Sequence, residues 1–491
     1  MEIQGVRVLQ QAMETGETTA ASIVRECIQR IEKTDPGAQG LGAVLEMNPE
    51  ALEIAGELDR ERALGKLRGP LHGIPVLLKA NIDTADRMAT TAGSLALKDH
   101  IAPKDAFHVD LLRTAGAIVL GKTNLSEWAN FRGERSVSGW SSLGGQTRNP
   151  YALDRTPCGS SSGSAAAVAA GYTPLAIGTE TDGSIVCPAQ TCGVVGIKPT
   201  LGTVSRSGII PIAHSQDTAG PMANCVEDAA LLLTAIAGTD PDDAATRDYA
   251  QHVLPPISSL IANATLDGVR VGVMRNAFGK HPKVDRLMEV CLETLSLAGA
   301  ELVDPASIET AGKWSESEFE VLLYEFKHDL GAYLSGVGPK AAVHSIEELI
   351  AFNREHADQV MPHFGQELLE KAAAKGPLSE QAYIDALARN HRLTRDEGID
   401  ATLENHKVDV LVAPTGAPAW YIDTVLGDLG LGGCSSVAAV SGYPHITVPA
   451  GTIDGLPVGL SFLGSAWSDG QLIQYAHAFE QVHHSKASNT R

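Results

Sequence analysis

The stretch Thr156-Pro-Cys-Gly-Ser-Ser-Ser-Gly-Ser-Ala-Ala-Ala-Val-Ala-Ala170, followed by Ile177-Gly-Thr-Glu-Thr-Asp-Gly-Ser-Ile185, is the most unusual in the chain. Small Gly and Ser residues lead into an alanine-rich run, and a second Gly-Ser closes a polar turn that an apolar run precedes. Gly and Ser clustered in fewer residues than a flexible linker needs imply a backbone that approaches something closely. The plainest reading is a serine N-cap, with the Ser162 or Ser164 hydroxyl satisfying the first N–H groups of the alanine helix. A phosphate loop fails on its residues. Gly193-Val-Val-Gly-Ile-Lys-Pro-Thr200 mimics one, but Pro199 stands where the motif needs Ser or Thr. Gly159-Ser-Ser-Ser-Gly163 formally matches a nucleophile elbow centred on Ser161. That turn needs a strand running straight into it, and the proline-bearing residues Asn149 to Pro157 cannot form a central strand.

Outward from this stretch, short β-rich runs alternate with helical ones. Ile74-Pro-Val-Leu-Leu-Lys79 and Ala117-Ile-Val-Leu120 read as strands, and Ala106 to Thr114 as a helix. A second β/α pattern covers Gly268 to Met274 and Val284 to Ala298. Strand texture returns at Val408–Pro414 and His445–Pro449. The fold class this predicts is α/β, a central mixed sheet covered by helices on both faces. Residues 1–61 read as an N-terminal helical segment, 71–208 as the core, and 315–404 as a helical insertion, with helices over Glu318–Leu334 and Ile346–His356. Strands resume after the insertion, so 1–491 reads as one domain.

The 491 residues carry a net charge of −21, with 44% apolar and 20% charged residues, an ordinary globular balance. Such acidity disfavours binding to nucleic acid or to anionic membrane, because both partners repel it. No apolar run approaches the ~20 residues that span a bilayer. The start Met-Glu-Ile-Gln-Gly shows no basic region followed by an apolar one, although a removed leader would leave the same picture. The seven cysteines are scattered, with no Cys-x-x-Cys pair, and read as buried thiols in a reducing compartment. A cytoplasmic protein, monomeric or homodimeric, is the expectation.

Leu71-His-Gly-Ile-Pro-Val-Leu-Leu-Lys79, Gly121-Lys-Thr-Asn124, the Gly-Ser stretch, Gly178 to Ile185 and Gly196-Ile-Lys-Pro-Thr200 occur in that order. Together they resemble the amidase signature family of serine hydrolases. Asp217-Thr-Ala-Gly-Pro-Met222, Val412-Ala-Pro-Thr415 and Gly455-Leu-Pro-Val-Gly459 fit as well, so the resemblance runs from Val6 to Gln481. Asn124 to Gly133, Gly144 to Pro150, Leu322 to Lys327 and His363 to Leu369 resemble the bacterial peptide amidases within it.

The resemblance implies a Ser–cis-Ser–Lys triad. Ser184 would be the nucleophile, Ser160 the bridging serine and Lys79 the base, with Ser160 and Ser184 24 residues apart. The oxyanion hole would be the backbone N–H groups of Thr181, Asp182, Gly183 and Ser184. The chemistry is coherent, because a lysine acts as a base only when burial lowers its pKa, and Lys79 ends an apolar run. No cofactor or metal is implied. The implied activity is hydrolysis of a primary carboxamide, the C-terminal amide of a peptide or of an N-acyl amino acid, through an acyl-enzyme. An aryl- or acylamidase cleaving a secondary amide, ester or carbamate is the alternative. The catalytic component of a tRNA-dependent amidotransferase is disfavoured by the helical insertion and by the missing carboxylate-binding arginine.

Several positions depart from the family pattern. Ala80 and Asn81 follow the base where Asp is common, and Asp182 precedes Gly183. Val186 and Cys187 stand where many members carry Arg, and Leu460 where Gln is common. His72, His214, His328 and His445 offer parts of a Ser-His-Asp triad, but no sequence rule pairs them.

Overall fold

The computed structural model describes residues 4–37, 39–430 and 432–489, with side chains described up to residue 483. In chain order the strands are β1 (Val44–Met47), β2 (Pro75–Lys79), β3 (Ile118–Thr123), β4 (Trp140–Ser141), β5 (Gly145–Gln146), β6 (Leu175–Glu180) and β7 (Val195–Lys198). There follow β8 (Thr218–Ala223), β9 (Arg270–Val273), β10 (Glu301–Val303), β11 (Val410–Pro414), β12 (His445–Ile453) and β13 (Leu456–Leu463). Eleven of them form one sheet in the order β1-β3-β2-β6-β8-β7-β12-β13-β11-β9-β10, while β4 and β5 pair separately. The sheet is mixed. β2 is parallel to both β3 and β6, whereas β8 enters antiparallel between β6 and β7.

Every residue of β2, β6 and β8 is buried, as befits central strands packed on both faces. Helices supply the parallel crossovers, Phe107–Thr114 leading into β3 and Ser162–Ala169 into β6. The second of these is short and buried from Ser162 to Val168. A Cβ at Gly163 would meet Ala43 O at 2.2 Å and Asn124 O at 2.5 Å. Small residues are what let this helix lie so close to the neighbouring backbone.

Between β10 and β11 the chain is helical, beginning with Ser315–Ser335 and Ile346–Glu355 and ending with Asp400–His406. Leu323, Phe326, Leu330 and Leu334 of the first helix join Trp128, Phe131, Ile210 and Ile212 in one apolar cluster. The helical stretch is thereby anchored on the loops that follow β3 and precede β8. Among the described residues no helix is long and apolar enough to cross a membrane.

One expectation is corrected. The seven cysteines are not all thiols, because Cys158 and Cys187 form a disulfide across a separation of 29 residues. Local spacing rules miss it. The helix Ser162–Ala169 carries the chain out and β6 brings it back, so two distant cysteines meet at the same end of the sheet.

Candidate active site

Lys79 closes β2 and is completely buried. Its Nζ lies 2.7 Å from Ser160 Oγ, 2.8 Å from Thr179 Oγ1 and 3.2 Å from the Thr179 carbonyl. Burial pushes its pKa down to about 7, with the charges of Asp217 and Glu180 offsetting part of the fall. Asn81 Nδ2 donates to the same Thr179 hydroxyl oxygen at 3.0 Å. The hydrogen bond that Ala80 cannot provide is therefore supplied one residue later. A neutral amine donating to the two Thr179 oxygens keeps its lone pair for the Ser160 hydroxyl.

Ser160 follows a cis peptide bond from Gly159. Only glycine fits before it, since a Cβ there would lie 2.2 Å from Ser126 Oγ. The neighbouring serines are engaged elsewhere. Ser161 Oγ donates to Thr179 O at 2.9 Å and accepts from Thr179 N at 3.1 Å. Ser162 Oγ donates to Cys158 O and Ser164 Oγ to Ile177 O. The N-cap position falls on Ser161, whose side chain makes no capping bond, so the N-cap reading of Ser162 and Ser164 does not hold. No strand leads into Ser161 either, which agrees with the rejection of an elbow.

The turn Thr181–Ser184 joins β6 to the helix Val186–Thr191. Its shape is held from both sides. Glu180 Oε2 accepts the N–H groups of Ile185 at 2.7 Å and Val186 at 3.0 Å. The Thr181 hydroxyl donates to Asp217 Oδ1 at 2.5 Å, and Asp217 Oδ2 also accepts the backbone N–H groups of Ile212 and Ala213. Burial pushes Asp217 up to about 6. Gly183 has φ +76°, a left-handed conformation that favours glycine. Among the described residues the N–H groups of Thr181, Asp182, Gly183 and Ser184 donate to no protein acceptor, which is the state expected of donors awaiting an oxyanion.

Ser184 is 7% exposed, and its carbonyl accepts the Ser161 N–H at 3.2 Å. The nucleophile candidate thus sits against the residue that follows the bridging candidate. The Ser160 hydroxyl is bonded to Lys79, one of the two partners a bridging serine joins, and not to the Ser184 hydroxyl. Catalytic bonds of this kind often tighten only when substrate binds.

Several participants escape sequence reasoning. Ser435 and Ser436 each donate to the Asp182 carboxylate at 2.6 Å. Glu318, from the helix Ser315–Ser335, is buried near Asp182, and burial together with that negative charge holds its carboxyl well above the usual range. The only sequence signal was the Asp182 departure itself, which implies a partner.

A cavity of ≈ 290 Å³ opens over this turn, lined by Gly159, Gly183, Asn130, Asp182 and Asp428 among others, with Cys158 and Cys187 in its wall. Among the described residues no lysine or arginine lines it. Val186, at the position where arginine is common in the family, lines it instead. The histidines lie outside this arrangement. His445 is buried, pushed down to about 3 by desolvation, and bonded to Ser461 Oγ at 2.6 Å. His72 Nε2 is 2.9 Å from Leu58 O, and His214 and His328 both pair with Asp329.

The profile of the amidase family matches residues 22–473. The native peptide amidase of Stenotrophomonas maltophilia superposes with a TM-score of 0.92 at 52% identity, covering 98% of this chain and 97% of that one. A peptide amidase in complex with the competitive inhibitor chymostatin gives 0.93 at 52% identity, covering 97% of each chain. A glutamyl-tRNA(Gln) amidotransferase component of Symbiobacterium thermophilum is 36% identical over 96% of this chain and 95% of its own length. That last alignment spans nearly all of both chains. The helical segment therefore gives no argument against an amidotransferase, contrary to expectation.

Proposed function

This chain belongs to the amidase family and is a hydrolase acting on amides, and from that premise we propose that its substrate is a primary carboxamide, the C-terminal amide of a peptide or of an N-acyl amino acid. The observation that carries the proposal is the 2.7 Å contact between Lys79 Nζ and Ser160 Oγ inside a fully buried site. Lys79, in the neutral form that burial makes accessible near pH 7, takes the Ser160 proton as Ser160 takes that of Ser184. Ser184 Oγ attacks the carboxamide carbon, and the negative oxygen is held by the free N–H groups of Thr181 to Ser184. Ser160 passes the proton to the leaving nitrogen, since an amide nitrogen departs poorly unless protonated. Ammonia leaves, and water then hydrolyses the acyl group from Ser184 along the same relay.

A neutral amide is favoured over an acidic substrate because the cavity wall carries Asp182 and Asp428 and, among the described residues, no cation. A neutral carboxamide enters such a cavity unopposed, whereas a carboxylate meets charge of its own sign. The 52% identity to peptide amidases supports the same choice. The amidotransferase reading rests on the 36% identity to the Symbiobacterium thermophilum protein.

The test is ammonia release by the purified chain from peptide C-terminal amides, beside matched anilides and free glutamine. Release from peptide amides with internal peptide bonds intact is the expected result. Activity confined to anilides would move the chain to the acylamidases, and dependence on a co-purifying partner with glutamine as donor would make it part of an amidotransferase. Ser184→Ala should abolish turnover while circular dichroism stays unchanged, and retained turnover would overturn the nucleophile assignment.

A further inference from the structure

We propose that the Cys158–Cys187 disulfide is a positioning bond for catalysis, and that its reduction by a thiol reversibly slows acyl transfer to Ser184. The proposal rests on the triad reading above and adds to it the bond that sets the register of its two serine-bearing segments. Cys158 lies two residues before Ser160, and Cys187 three residues after Ser184. Each half-cystine is tied in turn to its own segment. The Cys158 carbonyl accepts the Ser162 hydroxyl at 2.6 Å, and the Cys187 N–H donates to the Gly183 carbonyl at 2.8 Å. A covalent path therefore runs from the residue before Gly159–Ser160 to the first turn after the oxyanion donors.

The other links that join these segments are non-covalent. They include the Ser161 N–H to Ser184 carbonyl bond at 3.2 Å and the Thr191 hydroxyl to Pro157 carbonyl bond at 2.7 Å. A relay through two serines fails when the donor and acceptor drift by as little as ~1 Å, which commonly costs ~10²-fold in rate. The disulfide restrains that drift.

The bond is also reachable. Both cysteines line the active-site cavity, and Cys187 is partly exposed there while Cys158 is buried. A thiolate entering the cavity attacks Cys187 Sγ, forming a mixed disulfide and releasing Cys158 as a thiolate that takes up a proton. A second thiol resolves the mixed disulfide, so two small thiols are oxidised to one small disulfide while the protein gains two thiols. Oxidation by a small disulfide reverses the sequence.

The experiment compares four forms: the enzyme as purified, the enzyme reduced with dithiothreitol, the same sample reoxidised with oxidised glutathione, and Cys158→Ser/Cys187→Ser. The readouts are kcat and KM on a peptide amide, and the rate at which an alkyl fluorophosphonate labels Ser184, followed by intact mass. Circular dichroism at the assay temperature confirms that each form is folded. The expected result is a loss of about tenfold or more in kcat and in labelling rate for the reduced and double-serine forms, with KM within about twofold. Reoxidation should restore the reduced enzyme and leave the double-serine variant slow. Unchanged kcat and labelling in the folded, reduced enzyme would overturn the proposal, as would a loss that appears only where ellipticity is also lost. Failure of the oxidised enzyme to label at Ser184 would instead strike the triad reading, which keeps the two failures distinct.

Discussion

In the proposed relay Lys79 is the base, and burial is what would make an ordinary side chain usable in that role. An ammonium has no lone pair, so the working form is the neutral amine, which predominates above its depressed pKa of about 7. kcat/KM on a peptide amide should therefore rise about tenfold per pH unit below 7 and level off above about 8. A flat profile from pH 5 to 9 would remove Lys79 from the base role. The same shift has a stability consequence of definite sign. Between about 7 and the unfolded value of 10.5, the unfolded chain holds a proton that the native chain lacks, so this group's contribution to stability rises with pH across that window. Below about 7 both states hold the proton, and the native state bears the whole penalty, on the order of 5 kcal/mol from the size of the shift. Lys79→Met should accordingly be inactive yet melt several degrees higher than wild type at pH 6, the trade expected of a residue kept for function.

At the scale of elements, the loop after β3 is fastened to the helical stretch by Arg132, whose guanidinium reaches the Val360 and Phe364 carbonyls while pairing with Glu127 of its own loop. Arg132 Nη1 donates to Glu127 Oε1 at 2.6 Å and to Val360 O at 2.5 Å, and the guanidinium lies 4.1 Å from the centre of the Phe364 ring. Both side chains are fully buried. Desolvation pushes each partner toward its neutral form, Glu127 upward and Arg132 downward, and the attraction and hydrogen bond between them offset part of each shift. Arg132→Met leaves Glu127 buried with only Ser142 as partner, and urea unfolding should show a loss of about 3–5 kcal/mol. Arg132→Met combined with Glu127→Gln should lose clearly less than the single variant. An equal loss would mean that packing, not the stranded charge, carries the effect. These elements also mark what the sequence could reveal. The unbroken apolar run Ile74 to Leu78 declares β2, and the 3.6-residue spacing of Glu318 to Leu334 declares the helix Ser315–Ser335. The insertion of β8 between β6 and β7 is a non-local pairing that no window of residues encodes. For the same reason Lys79 and Ser160 were legible as candidates, whereas the Thr179–Asn81 bond and the Cys158–Cys187 bridge arise only where crossing segments meet.

Over the whole molecule the charge of −21 and the cavity's acidic wall act in the same direction. A negatively charged protein with a cleft of matching sign concentrates cations at its mouth and repels anions, most strongly when the Debye length is long. For the proposed activity this gives a preference that belongs to no single residue. At low ionic strength a peptide amide bearing Lys or Arg should have a higher kcat/KM than its neutral counterpart, and one bearing Glu or Asp a lower one. Raising salt from about 20 to about 300 mM shortens the Debye length from ~20 Å to ~6 Å, so the basic substrate should slow, the acidic one quicken and the neutral one stay level. The effect should fall on kcat/KM and spare kcat, because steering changes encounter and leaves the acyl-transfer step untouched. Parallel salt responses for all three substrates would place the discrimination in direct pocket contacts. Converging curves would place it in the field of the whole chain.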